Sequence, residues 1–182
     1  SVVRIAAAES LARRGGDLPD RAKARLAVML PDGDPDVRAA AARALGASGD
    51  HQAARALMSA FDRWHDPAVA TALGELGQAS AAGSLSAALR RPAASADPEL
   101  ASAVLLALAR IGNRDHIELV VPMLDHPSSR VRAAAVAAAI AVGGERGRRL
   151  ARERRRDFAR SVREAASLDP GRAGAGAPSP PR

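Results

Sequence analysis

DPDVRAAAARALGASG, residues 34–49, is the stretch that decides the fold. An aspartate able to cap a helix stands directly before a proline, whose missing amide and fixed φ suit a first helical turn. Val37, Ala41, Ala44 and Leu45 then recur at helical spacing on one face. Gly46 and Gly49 are expected to stop this helix, with Asp50 capping the next. A second helix follows as HQAARALMSAF, with Ala54, Leu57, Met58 and Phe61 as its apolar stripe. The opening phrase then returns. Asp66-Pro67 opens DPAVATALGELG, Asp97-Pro98 opens DPELASAVLLALARIG, and His126-Pro127 opens HPSSRVRAAAVAAAIAVGG, the prolines being 32, 31 and 29 residues apart. A fifth copy starts the chain, with Val3, Leu11 and Gly15 where Val37, Leu45 and Gly49 fall later. Self-similarity at a period of about 30 residues is the signature of stacked units. The predicted fold is all-α, an α-α superhelix of about five helical hairpins over residues 1–167.

Within this grammar the other first helices are expected over residues 2–14, 67–77, 98–111 and 128–142. Their partners are expected over 21–30, 81–89 and 114–124. Pro122 should bend or end the last of these. The third unit reads as the weakest, because Gly77 replaces the leucine at position 45 and Gly83 lowers helix propensity. Residues 90–98, RRPAASADP, read as a flexible joint.

Composition narrows the function. The hydrophobic fraction is 47% but aromatics are only 2%, so the core must come from close contacts of small side chains. No cysteine is present, which excludes disulfides and thiolate metal sites. The net charge of +7 is unevenly spread: residues 1–143 carry 16 basic against 15 acidic residues, and residues 144–182 carry 11 arginines against 5 acids. The array is therefore near neutral and the basicity is terminal. No signal peptide is visible and no apolar run reaches the length of a membrane span. Because the chain starts with Ser1 inside a repeat, further sequence is expected upstream, including the option of a membrane anchor.

The recurring Asp-Pro, Val-Arg, Ala-rich turn, Ala-Leu and Gly resemble the HEAT repeat, in its short bacterial form related to the repeats of phycobilisome lyases. The resemblance covers about residues 1–145 and implies a helical scaffold. It also implies that the valine packs inside and that the following arginine pairs with an acid near the repeat turns. Val3-Arg4, Val37-Arg38 and Val131-Arg132 fit, whereas Val69-Ala70 and Leu100-Ala101 do not. A continuous ladder of such pairs is therefore not expected through the middle.

No catalytic constellation or metal site is expected. His51, His65, His116 and His126 lie in separate turns or helix starts, without HxxxH or HExxH spacing. Each of them adjoins an aspartate, as polar residues gathered at caps do. The His-Glu pairs of iron-binding deoxyhypusine hydroxylases do not occur, and nothing beyond the generic repeat supports a bilin-lyase role. Phe61 is assigned to the core and Trp64 to a cover at the repeat end. No glycine-rich phosphate loop is found, and no cofactor is expected.

The strongest departure from repetition is ERGRRLARERRRDFARSVREAAS, residues 145–167, with nine arginines. It reads as one long helix whose Leu150, Ala151, Phe158, Val162 and Ala165 cap the array. Its outer arginines, Arg148, Arg149, Arg152, Arg156 and Arg160, offer charge to an acidic protein or anionic lipid. Residues 168–182 read as a disordered tail. The resulting expectation is a non-enzymatic, cytoplasmic adaptor for a protein partner, with second helices on the concave side. Arg21, Arg25, Gln52, Arg55 and Glu118 are then contact candidates. The rivals are a DNA-binding protein resembling HEAT-like alkylpurine glycosylases, disfavoured by the neutral array, and a membrane-anchored cytoplasmic domain.

Overall fold

A computed structural model describes residues 2–16 and 18–168. They form a stack of antiparallel helix pairs and contain no strand. The pairs are α1 (Val2–Arg14) with α2 (Asp20–Met29), α3 (Pro35–Ala47) with α4 (Ala53–Trp64), and α5 (Pro67–Leu76) with α6 (Ala82–Leu89). A short α7 (Pro92–Ala96) leads to α8 (Pro98–Ile111) with α9 (Ile117–Val120), then α10 (Ser129–Val142) with α11 (Gly144–Glu153), and finally α12 (Arg160–Ser167). None of these helices is long and apolar enough to cross a membrane.

The Asp-Pro starts work as the sequence implies. Asp34, Asp66 and Asp97 accept the amides of Asp36, Ala68 and Glu99 at 3.0, 2.9 and 2.9 Å, each followed by proline in the first turn. At Gly112, φ of 76° ends α8 in the left-handed region that a side chain disfavours. Pro122 ends the regular part of α9, which gives way to a 3-10 turn over Val121–Asp125.

The first helices stack directly, α1 on α3, α3 on α5, α5 on α8, α8 on α10 and α10 on α12. Val37, Val69, Leu100, Val131 and Val162 share one register position and are all buried. Leu45, Leu57, Phe61, Leu73, Leu85, Leu105 and Leu108 fill the seam between the two helix rows. The small residues set how near the helices come. A Cβ on Gly74 would lie 2.6 Å from the Cα of Ala107, and one on Gly46 would lie 2.9 Å from the Cα of Ala72. At such spacing the contact gains dispersion energy through backbone atoms instead of bulky rings.

Several expectations need correction. Gly46 does not stop α3; it is buried within the helix, which continues to Ala47. Within residues 90–98, read as a flexible joint, Pro92 starts a short helix. His126-Pro127 precedes α10 by two residues, and His126 Nδ1 instead accepts the amide of Ser128. Val3 does not pack inside: it is 82% exposed, with nothing among the described residues packed over it. Residues 145–167 are not one helix. α11 ends at Glu153, a 3-10 turn follows over Arg154–Arg156, and Asp157 accepts the amide of Ala159 ahead of α12. Phe158 falls in this link and is fully exposed instead of joining the apolar stripe. The 168–182 tail lies outside the described residues apart from Leu168.

Candidate functional site

Two features of the stack bear on function. The first is a ladder between units. Arg4 pairs with Asp32, Arg38 Nε lies 3.5 Å from Asp66, and Arg132 forks onto Asp157 through Nε and Nη2, both at 2.9 Å. Each arginine follows the register valine, so its side chain reaches the turn that opens the next unit. Two of them are also held from behind. Arg38 Nη1 donates to the carbonyls of Asp32 and Gly33, and Arg132 Nη1 to those of His126 and Pro127. Arg38 is almost wholly buried, and its guanidinium lies 4.5 Å from the Trp64 ring centroid, so Trp64 does cover the repeat end. The hydrogen bond from Arg132 holds the Asp157 carboxyl below its usual range, against a smaller opposing effect of burial. The same bond raises Arg132. The ladder is interrupted in the middle, where Ala70 and Ala101 occupy the arginine position.

The second feature is a groove of about 620 Å³ along the first-helix row, lined from α3, α5, α8, α10 and α12. Its floor is Ala68, Ala103, Ala133 and the partly exposed Leu106, with Arg43, Glu99 and Arg130 at the rim. Glu99 and Arg130 are 3.9 Å apart, and Arg43 lies 3.5 Å from Glu9. These exposed pairs are weak and exchangeable. The groove thus lies on the first-helix row, whereas the contact candidates expected from the sequence lie on or beside the second helices. The depressions on the second-helix side are local. One of about 550 Å³ is lined by Gln52 and Arg55 of α4 together with Gln78 and Ser80. Arg25 borders another, of about 340 Å³, between α1 and α2. Arg21 is exposed on α2 and lines neither.

Most arginines of the arginine-rich end have partners within the chain, although many of them are exposed. Arg146 bonds Glu118, Arg148 bonds Glu145, Arg154 bonds Asp125 at 2.9 Å, and Arg160 bonds Glu164 at 2.6 Å. Arg155 donates to the carbonyl of Ala166 at 3.3 Å. Arg152 is exposed and also engaged. Arg149 and Arg156 are exposed without a partner among the described residues. The five arginines singled out as a charged surface are therefore not equivalent. Glu118, expected as a contact residue, is held by Arg146.

The histidines stay apart, and among the described residues no three His, Asp or Glu side chains gather as for a metal. His116 is buried, its Nδ1 has no partner, and burial lowers its pKa, helped by Arg90 and opposed by Asp115. His65 closes α4 in the left-handed region at φ 49°, and its Nε2 lies 2.9 Å from Arg91.

Helix pairs in a single stack, joined by a register valine and an arginine–aspartate ladder, define an α-solenoid of HEAT-like hairpins. A family model described as HEAT repeats matches residues 1–72 and 93–168, and the chain belongs to that family. No curated protein matches it. It is similar to the solved complex of CpcE and CpcF of phycocyanin lyase from Nostoc sp. PCC7120, at 30% identity and a TM-score of 0.68. That match covers 83% of this chain and 64% of the other, so this chain spans under two thirds of that relative. Two engineered proteins share the fold at 18% and 19% identity, with TM-scores of 0.57 and 0.59. They cover 89% and 92% of this chain, which covers 86% and 90% of theirs.

Two functional elements escaped the sequence reading. Val162-Arg163 is a further copy of the Val-Arg phrase, 31 residues after Val131-Arg132, and that spacing was the available signal. The groove residues carry no motif, since alanines serve equally in a core and on a floor.

Proposed function

We propose that this chain is a non-enzymatic scaffold that binds a segment of a partner protein in the groove across its first helices. The observation that carries this reading is the groove itself: an apolar floor on α5, α8 and α10, with Leu106 exposed in it and charges confined to the rim. Such a floor recognises a partner by burying apolar side chains, while rim charges set orientation. The similarity to one of two chains solved as a complex supports a protein as the partner. The arginine-rich end supports an anionic partner less, because most of its guanidinium groups already hold carboxylates or carbonyls of the same chain.

Affinity capture from cells that express the protein, compared between the wild type and a Leu106→Glu/Ala133→Glu double variant, tests the reading. The scaffold reading requires a stoichiometric protein that the groove variant loses and an Arg149→Glu/Arg156→Glu variant keeps. Circular dichroism establishes that both variants are folded. A partner lost with the arginines and kept by the groove variant would reverse the assignment.

A further inference from the structure

The ladder has an open rung. In its three closed rungs the aspartate makes the same local hydrogen bond. Each aspartate accepts the amide two residues ahead in its own chain: Asp32 from Asp34 at 3.0 Å, Asp66 from Ala68 at 2.9 Å, Asp157 from Ala159 at 2.8 Å. The carboxylate is thereby fixed in a turn that opens a helix while it receives the arginine of the preceding unit. On the arginine side, Arg38 and Arg132 each send Nη1 to the carbonyls five and six residues back. Arg163 does the same. Its Nη1 donates to the carbonyls of Asp157 and Phe158, both at 2.8 Å.

Arg163 differs in what its other edge meets. The Nε and Nη2 edge that Arg132 uses to fork onto Asp157 meets no carboxylate among the described residues in Arg163, which is exposed. The neighbouring Glu164 is held by Arg160 at 2.6 Å. The guanidinium is thus oriented in advance, so a carboxylate arriving there does not have to order it. Ser167 stands four residues after Arg163, as Ala42 stands after Arg38, and its hydroxyl is satisfied by the carbonyl of Arg163 at 2.8 Å. A helix can therefore approach closely. Beside the clamp, Phe158 is fully exposed and Leu168 is 78% exposed.

We propose that the α12 end of the array docks a helical-repeat unit of another chain, which presents to Arg163 an aspartate held in the turn before its first helix. The joint continues the register of the closed rungs, and Phe158 adds apolar contact at its edge. The partner unit is one whose aspartate stands five residues before its register residue, as Asp32 stands before Val37 and Asp157 before Val162. This surface is separate from the groove, and its test does not depend on the groove reading.

The probe is a second copy of this chain with the tetrapeptide Pro-Asp-Gly-Asp, copied from residues 31–34, placed ahead of Ser1. This puts an aspartate five residues before Val3, as Asp32 lies before Val37. The probe also carries Arg163→Glu so that it cannot associate with itself. Sedimentation velocity of the labelled probe against the unextended chain should show a one-to-one complex. Arg163→Glu in the unextended chain should weaken it about tenfold or more, as should Asn in place of the added rung aspartate. Arg149→Glu/Arg156→Glu and Leu106→Glu should each change it less than about twofold. No complex, or a complex indifferent to Arg163 and to the added aspartate, overturns the proposal. So does a complex that forms only after residues 169–182 are removed, since the face then belongs to the chain's own segment.

Discussion

The joints of this array fall into two kinds. At α1–α3, α3–α5 and α10–α12 an arginine crosses to an aspartate of the next unit. At α5–α8 and α8–α10 alanines stand in the arginine positions, and helix packing holds the joint without that crossing. Gly74 lets the backbone of α5 meet Ala107, while buried Leu105, Leu108 and Val136 fill the remaining space. Histidines supply the polar links there: Nε2 of His65 with Arg91, and Nε2 of His126 with the Ser95 carbonyl at 3.1 Å. His126 Nδ1 meets the Ser128 amide, which leaves Nε2 to face the Ser95 carbonyl. One repeat interface is thus held in two ways, and a single aspartate performs one task or two depending on what faces it.

The most severe test of this comparison lies in the core, which both kinds of joint share. Leu45→Ala and Leu108→Ala should each lower unfolding free energy by roughly 3 kcal/mol in urea titrations. A much larger loss at Leu108 than at Leu45 would show that the ladder relieves its joints of dependence on packing. Next in size, Asp66→Ala should cost about 2–3 kcal/mol, because it removes a helix cap and leaves Arg38 buried without its carboxylate. Asp97→Ala should cost only about 1 kcal/mol, since Asp97 caps α8 and faces no arginine. Equal losses at the two aspartates would mean that the rung adds nothing beyond the cap.

The smallest effect is one of pH. The His116 pKa is lowered from its ordinary 6.5, chiefly by burial. Its folded-state value is below its unfolded one, so its contribution to stability is complete above about 6.5 and is lost as pH falls below that. The melting temperature should therefore decline between pH 7 and pH 5, and His116→Asn should flatten that decline. An unchanged slope would remove His116 as its source.

The fold was legible because phase, cap and breaker agree: Asp-Pro starts a helix by local hydrogen bonding, and a register valine repeats behind it. The interrupted ladder was legible for the same reason, as the Val-Arg phrase is missing at residues 69–70 and 100–101. The break at residues 157–159 was hidden. Arg154 to Arg163 pass for a charged helix by propensity, while Asp157 stops it by taking a bidentate arginine and a backbone amide at once. The groove was illegible, because its floor is mostly alanine, a residue that serves equally in a helix contact and on a surface.

An aspartate that both begins a helix and ties that helix to the unit before it couples two events in folding. At Asp66, if the rung opens, the start of α5 loosens with it, so α3 and α5 open together. Where the arginine is missing, as at Asp97, a helix can keep its start while its neighbour lets go. Hydrogen exchange should accordingly show two cooperative blocks, one ending at α5 and one beginning at α10, with weaker protection between them.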